Sequence, residues 1–169
     1  MKPKIPLPDG AQLSPAILAT LAALPPLNVF RMMANVPVSF QPLIAFAMSL
    51  LVQGQFDPRK RELAILRIAH VTRSNYEWVQ HVVVAKGTGV TDEEIAKIAV
   101  DGPVSSMDAE GNLLCRVADE ISRDVRLSDE ALAQIMERYG VAQATELILC
   151  CSYFNMVSRF LESTRVELE

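Results

Sequence analysis

The sequence predicts an all-α fold, and three observations carry that expectation. Half of the 169 residues are apolar while only 6% are aromatic. The apolar mass is therefore Ala, Val, Ile, Leu and Met, the side chains that packed helices use. Helix-start signals stand before most of the apolar stretches. No convincing strand remains once those stretches are assigned.

Each element has its own justification. Residues 1–12 are Pro-rich and read as an extended N-terminal arm on a single domain covering 1–169. Ser14 and Pro15 fit the N-cap and N1 of a short helix reaching about Leu24, which Pro25-Pro26 ends. Leu27 to Ala34 reads as another short helix, and Phe40 to Val52 as a long, largely apolar one ending near Gly54. Asp57-Pro58 caps a helix that runs to about Thr72. Its middle (Leu63, Ile65, Leu66, Ile68, Ala69) is apolar most of the way round, which places it in the core.

Ser74-Asn75-Tyr76-Glu77 fits a capping box, with Ser at N-cap and Glu at N3. The helix it opens runs to about Lys86, closed by Gly87 or Gly89. The β-branched run Val82-Val83-Val84 keeps a strand as the local alternative. Thr91-Asp92-Glu93-Glu94 is a second capping box and opens a helix to about Val100, followed by an Asp101-Gly102-Pro103 loop. Asp108 to Asp124 is amphipathic, with Leu114, Val117, Ala118 and Ile121 on one stripe. Ser128 caps a helix that stops at Gly140, and Val141 to about Leu168 closes the chain as one long helix.

Composition narrows the function classes. The net charge is −4, and the only dense basic run, Arg59-Lys60-Arg61, is followed at once by Glu62. No nucleic-acid partner is expected. The longest apolar stretch, Pro42 to Val52, is far short of the ~20 residues a spanning helix needs, so no membrane partner is expected either. Met1 to Gly10 has no apolar h-region. Cys115, Cys150 and Cys151 make an odd count without C-x-x-C spacing and read as reduced, buried thiols of a cytoplasmic protein. The apolar surplus in Phe40–Val52, Leu63–Val71, Val79–Ala85 and Val141–Phe154 exceeds what one small bundle needs and reads as subunit interface.

Only two histidines exist, His70 and His81. On a helix, Glu77 and His81 stand at i and i+4 on one face. A carboxylate beside an imidazole favours the protonated ring and fixes its tautomer and orientation. Trp78, three residues before His81, could wall off water. Glu62 sits in the first turn of the preceding core helix, where a carboxylate is costly unless paired. Glu62, Glu77 and His81 can therefore form a proton-transfer site. Blander readings stand beside this one. Glu77 can simply complete the Ser74 cap, His81 can be a satisfied core histidine, and Glu62 can pair with Arg59, Arg61 or Arg67. His70 fits a helix end, where the dipole favours an imidazole. No third nearby ligand supports a metal site.

The stretch 61–95, RELAILRIAHVTRSNYEWVQHVVVAKGTGVTDEEI, resembles the core of carboxymuconolactone decarboxylases and alkylhydroperoxidase AhpD-like proteins. NVFRMMA (28–34) and YFNMVSRF (153–160) resemble the flanks of its larger, non-cysteine branch. The peroxidase branch carries a Glu, eleven residues, then C-x-x-C-x-x-x-H. Counted from Glu62, Ser74 and Glu77 take the cysteine places and His81 the histidine place. Serine there has no redox chemistry, which disfavours AhpD-like peroxidase activity.

The decarboxylase branch resembles E-x-x-x-H followed by G-V-T-x-E-E-I, matched by Glu77, His81 and Gly89-Val90-Thr91. The resemblance implies an all-helical fold with a helical hairpin holding the site. It also implies a cofactor-free carboxy-lyase in which His81 donates the proton and Glu62 and Glu77 orient it. Tyr76, Trp78, Arg31, Arg67 and Arg159 are candidate substrate-binding residues. The expected substrate is a small carboxylated or carbonyl compound from aromatic catabolism, and the expected assembly is a homotrimer or hexamer. A non-catalytic oligomeric binding protein is the third reading.

Overall fold

The structure, a computed structural model, describes residues 4–169. Among the described residues it holds one 3₁₀ turn, eight α-helices and no strand. None of these helices is long and apolar enough to cross a membrane. The chain forms two compact units.

The first unit comprises the described residues up to Gln53 together with Leu161–Glu169. Of the expected N-terminal arm, residues 1–3 lie outside the described residues. The rest has no regular structure until a 3₁₀ turn, Gly10–Gln12, which the Asp9 carboxylate caps at the Ala11 N–H. The arm is pinned by the Ile5 N–H donating to Thr164 O (3.1 Å) and by Asn35 Nδ2 donating to Pro6 O (3.0 Å). α1 (Pro15–Ala23) begins at the expected cap, with Ser14 Oγ accepting from the Ile17 N–H. α2 (Asn28–Met33) follows. α3 (Pro37–Leu51) starts three residues before the expected Phe40, because Pro37 takes a first-turn position where its missing N–H costs nothing. α1 and α2 both pack against α3.

The second unit is Gly54–Phe160. α4 (Pro58–Thr72) is its centre. The Asp57 side chain caps it at the Lys60 N–H, and nine consecutive residues from Arg61 to Ala69 are buried. α4 packs against α5 (Asn75–Gly87), α6 (Asp92–Ile98) and α7 (Ala109–Arg123). The stretch around Val82–Val84 is helical, not a strand. Its β-branched side chains are largely on the outside: Val83 is 70% exposed and Val84 46%.

α6 carries the expected capping box of Thr91 and Glu94. α7 is capped by Asp108 and buries Leu114, Val117 and Ala118. α8 (Asp129–Thr164) is two helical segments joined at Gly140, whose φ of 73° and ψ of 168° are non-helical. That glycine is where the sequence places the break, since a left-handed φ is cheap without a Cβ. Arg165, at φ 56°, ends the second segment short of the expected Leu168.

Candidate active site

The site grows out of the turn between α4 and α5. Arg73 adopts a left-handed conformation (φ 57°, ψ 32°), and its N–H closes onto His70 O at 3.1 Å. The Ser74 N–H closes onto Ala69 O at 2.9 Å. This short reversal returns the chain along α4, so that His81 on α5 meets Glu62 near the start of α4.

His81 Nδ1 lies 2.7 Å from Glu62 Oε2. The Glu62 side chain is wholly buried, whereas that of His81 retains 14% exposure. A buried carboxylate costs several kcal/mol unless it is paired and hydrogen-bonded, and the imidazole is that partner. Glu62 Oε1 is buried with no hydrogen-bond partner among the described residues; Arg61 Nε stands 3.8 Å away. With Nδ1 committed to a carboxylate, the neutral ring carries its proton on Nδ1, and Nε2 is the nitrogen able to exchange a proton elsewhere. The edge of the ring pair is set by Phe154 on α8, at a centroid distance of 4.8 Å and an interplanar angle of 84°. Tyr153 packs edge-on against Phe154 in turn, at 5.2 Å.

Glu77 is also buried, and its Oε1 accepts from Ser158 Oγ at 3.0 Å. Ser158 Oγ lies 3.0 Å from Thr72 Oγ1, so the carboxylate is tied to both α8 and the end of α4. Burial and then the neighbouring Glu77 carboxylate push the Tyr153 phenol up to about 12, leaving it protonated at neutral pH. Glu77 does not complete a cap: Ser74 makes no side-chain cap hydrogen bond, and its N–H is used by Ala69 O. The expected capping box is absent because Glu77 has a partner from α8 in place of the local one.

The remaining candidates scatter. Trp78 packs on His70, at 6.1 Å between centroids; the ring against His81 is Phe154, so the shielding expected of Trp78 comes from α8. Tyr76 is buried. Arg67 is wholly buried and donates all five N–H bonds internally. Nε and one Nη2 hydrogen go to Asp119 (2.7 and 3.0 Å), Nη1 to Ile98 O and Val100 O (2.9 and 2.8 Å), and Nη2 also to Gly102 O. It has no donor left for a substrate, so the expectation that it anchors a carboxylate is corrected. Arg159 is exposed, with Nη1 on Asn155 O and Oδ1 at 3.0 and 2.6 Å. Arg31 belongs to the first unit, where it donates to Asn28 Oδ1 at 3.2 Å.

Sequence reasoning missed Ser158, Phe154 and Tyr153 as site residues. Their only signal was the YFNMVSRF segment, read for its resemblance and not for contacts. The three cysteines are free and buried, as expected. Burial pushes the Cys115 and Cys151 thiols up to about 12, and Cys150 well above its ordinary value. Thiols so shifted hold no thiolate near neutrality, and the thiolate is the nucleophile.

A helical hairpin that buries a carboxylate–imidazole pair and a second carboxylate defines the class: an all-helical protein with its candidate site built on two consecutive helices. Residues 37–114, which contain Glu62, Glu77 and His81, match the model of the carboxymuconolactone decarboxylase family. That match covers less than half of the chain, and the fold as a whole is AhpD-like. That fold is shared with the alkylhydroperoxidase AhpD core of an uncharacterized peroxidase-related protein from Ralstonia eutropha, at 15% identity and a TM-score of 0.84, over 100% of this chain and 94% of that one. A peroxidase-related protein from a Silicibacter species is similar at 16% identity and a TM-score of 0.74, over 97% and 87% of the two chains. A protein of unknown function from Agrobacterium tumefaciens matches at 18% identity and a TM-score of 0.66, over 79% and 92%. No curated protein matches the sequence.

Proposed function

We propose that the protein is a cofactor-free lyase of the decarboxylase type, of the family's non-cysteine branch, in which His81 moves the proton and Glu62 orients it. The observation that carries this reading is the 2.7 Å contact between a wholly buried Glu62 and a partly exposed His81. A purely structural pair has no need of an open ring face.

On a small carboxylated lactone or β-keto acid, the bond between the substrate carbon and its carboxylate breaks and carbon dioxide leaves. The electron pair stays on that carbon, delocalised onto the adjacent carbonyl as an enolate. The His81 Nε2–H then delivers a proton to the carbon, and solvent restores the ring. Glu62 stabilises the imidazolium before transfer and fixes its orientation throughout. Glu77, held by Ser158, adds negative charge beside the site and positions α5. Assistance of this kind is typically worth about 10²–10⁴ in rate.

The AhpD-like peroxidase reading requires a thiolate at the Ser74 or Glu77 positions, and the raised pKa values of the three buried thiols weigh against it. Self-association is part of the proposal: α5 and α8 present Val79, Val83, Val84, Val141, Leu149 and Met156 outward, all at least 39% exposed. Light scattering of the purified protein gives the subunit count, and a monomer at micromolar concentration removes this part.

The test of the reaction is carbon dioxide release from a panel of γ-carboxylactones and β-keto acids run in D₂O. Wild type is expected to release carbon dioxide and place deuterium on the product carbon; His81→Gln, still folded by circular dichroism, is expected to do neither. Equal turnover by His81→Gln, or no turnover of any panel member by wild type, overturns the reading.

A further inference from the structure

A cavity of about 450 Å³ opens in the second unit where the end of α4, the start of α5 and the segment after α6 meet. That volume lies in the range of small-molecule sites. Three features of its lining suit a ligand.

Arg73 is the first. It is exposed, and its guanidinium makes no hydrogen bond or ion pair among the described residues. It also occupies a left-handed position (φ 57°), where helix ends prefer Gly or Asn and a residue with a long side chain is strained. Ser74 is the second. It lines the cavity and is 0% exposed, yet Oγ has no hydrogen-bond partner, although N-cap serines ordinarily use that oxygen on their own helix. A buried hydroxyl left unpaired is costly, and a ligand oxygen in the cavity would pair it. The third is the wall. Trp78 and His70 stand edge to face on the same cavity, with centroids 6.1 Å apart and planes at 60°, giving it an aromatic side.

Charge points the same way. α5 is 13 residues long, and its N-terminus faces the cavity through Ser74 and Asn75. A helix N-terminus favours an anion, and Arg73 adds a full positive charge. The one acid on the lining, Asp101, is wholly exposed at the rim, 3.8 Å from His70 Nε2, where water screens it.

We propose that this cavity binds a small aromatic carboxylate, with the Arg73 guanidinium and Ser74 hydroxyl holding the carboxylate and Trp78 holding the ring. The site stands on its own residues and does not depend on proton transfer by His81.

Trp78 is the only tryptophan in the sequence, so intrinsic fluorescence of the full-length protein reports the cavity directly. Benzoate is the probe, with acetate and inorganic phosphate as comparison arms. Benzoate is expected to change Trp78 emission saturably, at concentrations at least tenfold below those needed for acetate or phosphate. Arg73→Ala is expected to weaken benzoate at least tenfold, Ser74→Ala severalfold, and Arg73→Lys less than Arg73→Ala; Asp101→Asn is expected to tighten it. Arg73→Gly separates ligand from scaffold: it should raise the midpoint of thermal unfolding by relieving the left-handed strain while still losing benzoate. The proposal is overturned by three results: no saturable response of wild type to millimolar benzoate, an unchanged Kd in folded Arg73→Ala or Arg73→Gly, or phosphate binding as tightly as benzoate.

Discussion

Glu62 and Arg67 stand five residues apart on α4, both with side chains removed from water. Arg67 has every donor satisfied: a bidentate partner in Asp119 and three backbone carbonyls that gather the end of α6 and the loop after it. Glu62 has one oxygen on His81 and one without a hydrogen-bond partner. The first arrangement has one stable protonation state and no capacity for a ligand; it fastens α4 to α7 and to the α6–α7 loop. The second keeps a titratable ring at the edge of solvent with its orientation already set. Burial alone therefore does not separate structural charges from reactive ones. The unmet hydrogen-bonding capacity does.

The strongest test of this contrast is to break both sides. Arg67→Met leaves Asp119 and three carbonyls without their partner, and removing one member of a buried pair costs about 3–5 kcal/mol. Urea unfolding should show that loss; a change under about 1 kcal/mol would place Arg67 outside the fastening role. On the other side, Glu62→Gln keeps the shape and a hydrogen bond to Nδ1 while removing the charge. Its expected cost in stability is about 1–2 kcal/mol, against a fall in turnover of about 10²–10⁴. Equal stability losses in the two variants would erase the contrast.

Ser158→Ala sharpens it further. Removing the donor to Glu77 Oε1 should cost about 1.5–3 kcal/mol, as for hydrogen bonds to charged groups, with a smaller effect on turnover than Glu62→Gln. A loss of turnover as large as that of His81→Gln would make Glu77 a direct participant.

Acid pH provides a weaker effect. Burial pushes the Glu120 carboxyl up, but the Ser128 N–H, the Arg116 guanidinium and the Ser128 hydroxyl outweigh it and hold it below the usual carboxylate range. Glu110 and Glu94 are held down in the same way, against burial, by Lys60 and Tyr139 and by Thr91 and Arg59. For such groups the unfolded chain binds more protons near its own pKa of ~4.3, so the stabilisation is present above that value and lost as pH falls through the lower folded value. Thermal midpoints should therefore drop below about pH 4.5, less steeply in Glu120→Gln. The smallest effect concerns thiols. Native protein should react with no thiol reagent at pH 8 and with three equivalents after unfolding, given three buried cysteines. A fast-reacting native thiol would reopen the peroxidase reading.

Much of the helical frame could be read from local signals. Ser14, Asp57, Thr91, Asp108 and Ser128 all accept from the backbone of the turn they begin. Ser74 has the same spacing to an acid and fails, because Glu77 meets Ser158, which lies 81 residues further along the chain. Likewise the choice among the arginines could not be made from residue type. Arg67 is consumed by carbonyls that only the packing of α4 against α6 and α7 brings near it, and Arg73 drew no attention because its signal is a backbone angle.

The sequence by itself determined the helices, most of their starting caps and the shared face of Glu77 and His81, since caps, apolar periodicity and i, i+4 spacing act over a few residues. Only the tertiary structure decided which carboxylate touches the imidazole, which aromatic ring lies against it and which arginine is left unpaired. Those outcomes depend on which side chains from distant segments reach a buried polar group, and most such groups are paired where water is excluded.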